Sequence, residues 1–320
     1  MSEPRLLVVG SINQDLVVRV ARAPRQGETI QGGNLALHPG GKGANQAVAA
    51  VRLGASVAFC GRVGREAFGA AMLAGLNAEG IDTAFVAQDP EAATGTAVIL
   101  VLESGQNMIV ISPGANGRVG PADLAPLKPR IGRFDFLLLQ LELPMEAIEA
   151  AASMARAAGV RVLLDAGPAR ELPPSLLSRL DIVSPNETEA ETILGRSAGS
   201  EAEAREAARE LTARGAREAI IKLGARGSVW AHPGGFETFG AFQVPVVDPT
   251  AAGDAFTAAI AVELARGRSR PECLRTASAA GALAVGRMGA QPSLPRLCEV
   301  EEFLRANPPL RPSAYRSRHK

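Results

Sequence analysis

One aspartate stands at the start of a predicted helix, in the stretch DPTAAGDAFTAAI at residues 248–260. A carboxylate is a preferred helix cap, so capping alone is one explanation for Asp254. The other explanation is chemical, because Ala252, Gly253 and Asp254 present consecutive N–H groups at a helix N-terminus. Those groups would form an anion hole for a transferring phosphoryl group, and Asp254 would accept the proton of an attacking hydroxyl.

Two polar side chains lie close together in GSINQD, residues 10–15, after the first predicted strand. Asn13 and Asp15 are separated by one residue, which places them on the same face of an extended chain. Turns also favour Asn and Asp, so a plain turn is the competing explanation. If the pair faces a cleft instead, it suits neighbouring hydroxyl groups of a sugar.

A glycine-rich turn leads into an amphipathic helix in HPGGKGANQAVAAVRLGA, residues 38–55. Glycines there let backbone N–H groups approach a polar ligand closely. Gly41 and Lys42 suggest a Walker P-loop, but Ala36 stands where that motif needs its first glycine and Gly43 where it needs Ser or Thr. The stretch therefore does not match a P-loop.

Other common catalytic signatures do not occur in the sequence. No G-x-G-x-x-G follows the first predicted strand, and there is no G-x-S-x-G. His38, His232 and His319 have neither metal-ligand spacing nor obvious triad partners. The usual nicotinamide site, a hydrolase nucleophile elbow and a histidine metal site are therefore disfavoured.

Two further polar stretches each follow a predicted strand. In SPNETEAE, residues 184–191, the acids lie at a helix start, where the helix dipole also favours them. The alternative is a hydrated Mg²⁺ beside a phosphate chain, since Mg²⁺ keeps waters and takes few carboxylates. In KLGARG, residues 222–227, a glycine turn suits the phosphates or ribose of a nucleotide, although a plain β-turn has the same pattern.

The composition is that of a soluble globular chain of 320 residues, with 47% hydrophobic and 21% charged residues. A net charge of +1 provides no basic field for nucleic acid, and no apolar run is long enough to span a membrane. Three cysteines, Cys60, Cys273 and Cys298, lie far apart, which disfavours a disulfide framework or a zinc site. We therefore expect a cytoplasmic protein with no nucleic-acid or membrane partner.

Short apolar runs alternate with helical patterns along the chain. The predicted strands are residues 6–10, 56–61, 135–140, 160–166, 181–185 and 218–224. The predicted helices are residues 43–53, 66–79, 144–158, 187–195, 201–214, 253–266, 271–286 and 299–305. This alternation predicts an α/β fold with a doubly wound, mainly parallel sheet flanked by helices.

Two stretches interrupt the alternation, and both have the pattern of antiparallel strands: residues 15–41 and 95–112. We expect them to form a small inserted β-sheet, a lid over the C-terminal edge of the parallel strands, where ligands of open α/β sheets bind. The predicted core comprises residues 1–13, 42–94 and 113–306, and the predicted lid comprises residues 14–41 and 95–112. The basic segment 307–320 is expected to be a flexible tail.

Together these motifs resemble those of the ribokinase family of carbohydrate kinases, the phosphofructokinase-B type. Two long signatures carry the resemblance: GGKGANQAVAAVRLGASVAFCGRVG near the N-terminus and DPTAAGDAFTAAI near the C-terminus. The motifs GSINQD, QLELP, SPNETEAE, KLGARG and GAQPS follow the family's order. The resemblance extends over residues 5–305.

The resemblance implies an ATP-dependent sugar kinase that phosphorylates D-ribose at O5 to give D-ribose 5-phosphate. It also implies a need for Mg²⁺, activation by a monovalent cation, usually K⁺, and a homodimer formed through the lids. Two alternatives stay open. The acceptor could be deoxyribose, fructose, a keto-deoxy sugar acid or a nucleoside, or the chain could be a catalytically silent metabolite-binding homologue. Asn13 and Asp15 favour ribose, and the joint presence of base, anion-hole glycine and acids disfavours the silent homologue.

Carried over motif by motif, the family's functional residues fall on three groups of positions. The sugar site would comprise Asn13, Asp15, Gly41, Lys42, Asn45 and Glu142, with Asp254 as base and Ala252 and Gly253 in the anion hole. The nucleotide site would comprise Asn186, Lys222, Gly224, Gly227, Gly253 and Ser278, with Glu189 near Mg²⁺. The monovalent-cation site would comprise Asp248, Thr250, Ala284, Arg287, Gly289 and Ser293.

Three positions depart from the family's pattern. Lys222 stands where many relatives have Thr, so a longer cation lies near the phosphates or points to solvent. Ser278 stands where some relatives place a larger side chain beside the adenine. Pro249 stands where Thr is frequent, and it fixes φ and removes one N–H. None of these changes removes a group that phosphoryl transfer requires.

Overall fold

The strands of the computed structural model form two separate sheets, and the structure describes residues 3–104 and 106–308. In chain order the strands are β1 (Arg5–Val9), β2 (Asn13–Val20), β3 (Ala36–Gly40), β4 (Ser56–Gly64), β5 (Asp82–Asp89), β6 (Gly95–Leu102), β7 (Asn107–Ser112), β8 (Phe136–Leu139), β9 (Arg161–Leu164), β10 (Ile182–Val183), β11 (Glu218–Lys222), β12 (Ser228–His232) and β13 (Gly235–Phe239). The helices are α1 (Lys42–Arg52), α2 (Ala67–Ala78), α3 (Pro121–Leu124), α4 (Met145–Ala157), α5 (Pro174–Leu177), α6 (Glu187–Leu194), α7 (Glu201–Ala213), α8 (Ala252–Ala265), α9 (Arg270–Val285) and α10 (Leu297–Ala306).

The larger sheet has the strand order β13-β12-β11-β10-β9-β8-β1-β4-β5. Neighbouring strands pair in parallel from β11 to β5, and β12 and β13 add an antiparallel edge. Every strand predicted for the main layer lies in this sheet, so the doubly wound, mainly parallel sheet is confirmed. The sequence analysis missed β5, β12 and β13, all of which lie at the edges of the sheet.

Strand β1 illustrates why the central strands are apolar without alternation. Leu6, Leu7, Val8 and Val9 are all fully buried. Leu7 and Val9 belong to a core with α4 and α7, whereas Leu6 and Val8 belong to a second core with α1, α8 and α9. Helices therefore cover both faces of the sheet, as parallel sheets require.

The helix predictions hold within a residue or two. The largest difference is at α10, which begins at Leu297 rather than at residue 299. The one-turn helices α3 and α5 were not predicted, because four residues are too few to give a helical period.

The lid is a four-stranded sheet with the order β3-β2-β6-β7. Strands β2 and β3 pair antiparallel, as do β6 and β7, but β2 and β6 pair in parallel. The predicted small sheet is therefore present, and the expectation of antiparallel strands holds for two of its three pairings. Strand β2 begins at Asn13, four residues after β1 ends at Val9, so the lid grows from the C-terminal edge of the larger sheet.

Helix α10 is the last described element. The Arg275 guanidinium of α9 donates hydrogen bonds of 2.8 Å to the carbonyl oxygens of Leu304 and Asn307, which hold α10 against α9. Residues 309–320, most of the predicted flexible tail, lie outside the described residues. Within residues 3–104 and 106–308, no helix has the length and apolar character needed to cross a membrane.

Helix α1 approaches the end of β1 closely enough that only glycine fits at the contact. A Cβ on Gly43 would lie 2.6 Å from the Ser11 nitrogen and 2.7 Å from the Gly10 Cα. Backbone and Cβ atoms cannot coexist at those distances, so the helix would have to move away from the strand. The glycines of the GGKGAN stretch thus set the position of the helix that carries Lys42 and Asn45.

Replacing Gly43 with alanine should therefore destabilise the protein by about 1–3 kcal/mol through overpacking. Gly75 provides a matched control, because it lies in the exposed part of α2 and a Cβ there would meet nothing within 4 Å. Gly75→Ala should stabilise by roughly 0.5–1 kcal/mol, since alanine loses less backbone entropy in a helix. Urea unfolding measures both changes, and equal midpoints for Gly43→Ala and wild type would contradict the close-contact account.

Candidate active site

Charged side chains from four segments meet at the C-terminal edge of the larger sheet. Helix α1 contributes Lys42 and Asn45, Asp165 follows β9, Lys222 ends β11, and Asp254 lies in the first turn of α8. The carboxyl ends of parallel strands share one edge of a sheet, so residues far apart in sequence converge there. This convergence forms the candidate active site.

The Asp254 carboxylate is buried and is held by two side-chain amides of α1. Asn45 Nδ2 donates to Oδ2 at 3.0 Å, and Gln46 Nε2 donates to Oδ1 at 3.1 Å. Burial raises the pKa of Asp254 to about 6, while Lys42 acts to lower it and the charge of Asp165 raises it. The N-cap of α8 is Ala251, with no side-chain cap, and both Asp254 oxygens bond to α1, so helix capping does not explain this residue.

The turn before α8 contains a left-handed alanine. Ala251 has φ 61°, and among the described residues it is the only non-glycine with positive φ. This conformation starts the helix abruptly at Ala252, and first-turn N–H groups have no carbonyl partner within their own helix. The N–H groups of residues 252–254 therefore form the positive end of a fourteen-residue helix beside the Asp254 carboxylate.

Asp165 pairs with two lysines at the centre of the site. It is fully buried, and its Oδ1 lies 2.5 Å from Lys222 Nζ while its Oδ2 lies 3.6 Å from Lys42 Nζ. Burial alone would raise the pKa of Asp165, but the two ammonium groups outweigh burial and hold it below its usual range. Burial would likewise lower the pKa of Lys42, yet the surrounding carboxylates, led by Asp165 and Asp254, raise it. Lys42 is therefore positively charged.

Glu142 fixes the entry of α1 from the opposite side. Its Oε2 accepts hydrogen bonds from the Ser11 hydroxyl and from the Lys42 backbone N–H, the latter at 3.0 Å. Ser11 Oγ in turn accepts from the Gly43 N–H at 3.3 Å. The QLELP motif thus contributes an acid that ties the glycine-rich turn to the end of β1.

Asn13 and Asp15 lie at the start of lid strand β2. Asn13 is buried, and its Oδ1 accepts a hydrogen bond of 2.7 Å from Asn116 Nδ2. Burial, with a smaller contribution from the charge of Glu142, raises the pKa of Asp15 to about 7. Their place in a paired strand rather than a turn removes the simple turn explanation for these residues.

A cavity of about 590 Å³ opens beside Asp254 and extends between α8, α9 and the turn after β11. All six residues predicted for the nucleotide site line it: Asn186, Lys222, Gly224, Gly227, Gly253 and Ser278. Lys42, Glu189, Ala252 and Asp254 lie at its polar end, and Phe242, Val246 and Val285 line its apolar part. Of the predicted sugar-site residues, only Lys42 and Asp254 reach this cavity, so the two predicted sites meet at these side chains.

Asn186 and Glu189 form a reciprocal capping box at the start of α6. Asn186 Oδ1 accepts from the Glu189 N–H, and Glu189 Oε2 accepts from the Asn186 N–H, both at 2.8 Å. The capping explanation is therefore correct for one oxygen of Glu189. The other oxygen, Oε1, lies 2.2 Å from where a Cβ on Gly167 would stand, beside Lys42 Nζ, so it faces the site.

The predicted cation residues lie behind the α8 N-terminus. Asp248 Oδ1 accepts from the Thr250 N–H at 3.0 Å and its hydroxyl at 2.6 Å, and Oδ2 accepts from the Gly289 N–H at 2.9 Å. These bonds join the segment before α8 to the one after α9, where Arg287 and Ser293 lie, and Ala284 lies in the last turn of α9. The Arg287 guanidinium pairs with Glu299, so only its backbone is available to the predicted site.

Several residues at the site were not singled out in the sequence. Asp165 lies near the end of the strand predicted at residues 160–166 and Gln140 ends another, so polar residues at strand ends were the available signal. Gln46 is adjacent to Asn45, and Asn116 lies in a short 3-10 helix whose sequence has no comparable pattern. All four are buried polar residues whose partners come from distant segments.

Comparisons of the sequence and the fold with known proteins give consistent matches. The model of pfkB family carbohydrate kinases matches residues 3–297. The ribokinase of Haemophilus influenzae is 40% identical over 299 residues, covering 93% of this chain and 98% of that protein. The ribokinase of Bacillus subtilis is 38% identical, covering 93% of this chain and 99% of that protein. A structure of Arabidopsis thaliana ribokinase complexed with ribose and ATP aligns with TM-score 0.88 and 36% identity, covering 95% of this chain and 99% of that one. The chain therefore belongs to the pfkB family of carbohydrate kinases, as its two signatures predicted.

Proposed function

We propose that this protein transfers the γ-phosphoryl group of ATP to O5 of D-ribose, giving ADP and D-ribose 5-phosphate. The observation that carries the proposal is Asp254, a buried carboxylate of raised pKa beside the N-terminus of α8. It lies where the large cavity meets the residues predicted for the sugar. Full-length similarity to proteins named ribokinase supports ribose as the acceptor.

Asp254 would act as the general base. Its carboxylate accepts the proton of the sugar hydroxyl as the oxygen forms a bond to the γ-phosphorus, and the bond from that phosphorus to the ADP oxygen breaks with its electron pair. The N–H groups of residues 252–254 and the charged Lys42 stabilise the negative charge on the transferring group. Because Asn45 and Gln46 donate to the carboxylate, the base keeps a fixed orientation.

The sugar would bind between the lid and the start of α1. Asn45 Oδ1 is buried and has no hydrogen-bond partner among the described residues, so it can accept a hydrogen bond from a sugar hydroxyl. Asn13 and Asp15 supply further polar groups at the lid, and Gly41, Lys42 and Glu142 complete the proposed sugar site. A pair of neighbouring polar side chains favours an acceptor with vicinal hydroxyls. Comparing kcat/KM for ribose, deoxyribose and fructose tests this preference.

ATP would occupy the large cavity with its phosphates toward Lys222 and Gly253. Asn186, Gly224, Gly227 and Ser278 line the same cavity. No cluster of three or more metal-ligating side chains occurs in the described residues, which fits a Mg²⁺ ion held mainly by phosphates and waters. Glu189 would lie near this ion through its free oxygen, and Mg²⁺ would neutralise phosphate charge during transfer.

We also propose that a monovalent cation, usually K⁺, binds near Asp248 behind the anion hole. The site would use the Asp248 carboxylate and backbone carbonyl oxygens of Thr250, Ala284, Arg287, Gly289 and Ser293. Oxygen-only donors suit a hard cation, and the Gly289 hydrogen bond to Asp248 already joins the two segments. A cation there would support the turn that starts α8.

A homodimer formed through the lids is the proposed assembly. Strand β7 is exposed along its whole length, and Val110 is 69% exposed. Four further apolar side chains of the same sheet are about half exposed: Leu37, Met108, Ile109 and Ile111. Apolar patches of this kind mark interfaces, and a second copy of the lid offers a matching surface.

Asp254→Asn should reduce ribose-dependent ADP formation by about 10²–10⁴-fold, because the amide cannot accept the proton. Ribose binding, measured by calorimetry, should change little since the side chain keeps its size. The asparagine oxygen can accept from only one of the two amides that donate to Asp254, so chemical unfolding must show that the variant is folded. Turnover close to that of wild type would exclude Asp254 as the base. Tight ribose binding by the wild type without ADP release would instead indicate the catalytically silent homologue.

Asp248→Asn should remove the increase in kcat that potassium gives the wild type, since the substitution removes the negative charge of the proposed cation site. Arg287→Ala is the matched control, because its side chain pairs with Glu299 and only its backbone belongs to the site. The measurement is turnover in potassium chloride against sodium or tetramethylammonium chloride. An undiminished potassium response in Asp248→Asn would contradict the proposed site.

Val110→Asp should convert the dimer to a monomer, because it would bury a carboxylate in the proposed lid interface. Val110→Ile, which keeps the position apolar, should leave the dimer intact. Size-exclusion chromatography with light scattering measures the mass of each variant. A monomeric wild type, or a dimeric Val110→Asp, would show that the lid faces do not form the interface.

A further inference from the structure

One amide side chain links the two buried carboxylates of the site. Gln46 is fully buried, and its Nε2 donates to Asp165 Oδ2 at 2.9 Å and to Asp254 Oδ1 at 3.1 Å. An amide nitrogen carries two protons, so both are used on the two carboxylates. Gln46 does not line the large cavity, and it is shielded from solvent.

A second amide fixes the orientation of the first. Gln140 Nε2 donates to Gln46 Oε1 at 2.6 Å. If the Gln46 amide were flipped, its oxygen would face two carboxylates and its nitrogen would face another NH₂ group, and every bond would become repulsive. Gly10 makes room for this arrangement, because a Cβ there would lie 2.2 Å from Gln140 Oε1.

The charges around Asp254 show what this amide does. Lys42 of α1 lowers the pKa of Asp254, and Asp165 after β9 raises it. Lys222 of β11 faces Asp165 rather than Asp254. Asn45 and Gln46 are neutral, and their hydrogen bonds to the ionised carboxylate oppose the effect of burial. Without Gln46, Oδ1 of Asp254 would lose its donor while the repulsion from Asp165 remained.

We propose that Gln46 is a positioning residue for the base: it holds the Asp254 carboxylate in one orientation, keeps it ionised near neutral pH, and is itself locked by Gln140. The inference rests on the proposed role of Asp254 as the base. Gln46 is fully buried and does not line the cavity proposed for ATP, so it would act through Asp254 and Asp165.

Gln46→Met tests the proposal, because methionine keeps the length of the side chain and removes both donors. The wild-type kcat/KM should rise with pH through about 6, where Asp254 loses its proton. In Gln46→Met this rise should move to higher pH, because a bond that favours the ionised form is gone. At pH 8 we expect kcat to fall about 10- to 100-fold, while KM for ribose and for ATP changes by no more than about twofold.

Gln140→Met is the companion variant, since it leaves Gln46 in place and removes only the hydrogen bond that Gln140 donates to Gln46 Oε1. It should shift the pH profile in the same direction and lower kcat by a smaller factor. If Gln46→Met unfolds because two buried carboxylates lose a donor, the Gln140→Met profile decides the question. Chemical unfolding of each variant shows whether a loss of activity is a loss of folded protein.

A ¹³C titration of the Asp254 carboxyl group separates this proposal from the proposed function, because it needs no turnover. A raised Asp254 pKa in Gln46→Met supports the positioning role even if ribose is not the acceptor. No ADP formation by the wild type with ribose would overturn the function but not this role. An unchanged or lowered Asp254 pKa in both variants, or a KM increase that accounts for the whole loss, would overturn the positioning role.

Discussion

The buried Asp254 carboxylate at the start of α8 must be compensated by the groups around it. Taking a charge out of water costs several kcal/mol unless hydrogen bonds and opposite charges replace the lost solvation. Asp254 receives two amide donors and a nearby lysine from α1, and it lies by the positive end of its own helix. The compensation is incomplete, which is why its pKa stays raised. With a pKa of about 6, the proposed base is ionised at neutral pH yet still a better proton acceptor than a free aspartate.

That compensation depends on the exact position of α1, and glycines determine it. Gly43 lets the helix lie against the end of β1, and Glu142 ties the helix entry to Ser11 from the other side. Lys42, Asn45 and Gln46 follow within one turn and a half, so one rigid contact places three of the partners of Asp254 and Asp165 together. The glycine-rich motif therefore acts here through close packing of helix on strand, and its resemblance to a phosphate-binding loop is superficial.

The sequence predicts the helices and strands of this fold well, but it predicts the hydrogen-bond partners of the buried site residues poorly. Central strands such as β1 and β8 are continuous apolar runs, which no other local structure explains as simply. Edge strand β5 mixes polar with apolar residues and buried with exposed ones. Its sequence pattern is therefore ambiguous without the neighbouring strand β4. Among site residues, Asp254 and Asn45 were predicted because they belong to recognisable signatures. Gln46, Gln140 and Asp165 were missed because the role of a buried polar residue depends on side-chain partners in other segments, here 57 or more residues away.

Strand β2 connects the proposed sugar site to the proposed dimer surface. Its first residues, Asn13 and Asp15, lie at the active-site edge, and its partner β6 continues to β7, the exposed apolar strand proposed for the dimer. Cross-strand hydrogen bonds fix the register of β2 on β6 and of β6 on β7. Burial raises the pKa of Asp15 to about 7. A sugar hydroxyl that donates a hydrogen bond to the Asp15 carboxylate would favour its ionised form. The proposed sugar site and the proposed dimer surface therefore belong to one sheet, and a dimer that restricts the lid would also restrict the position of Asp15.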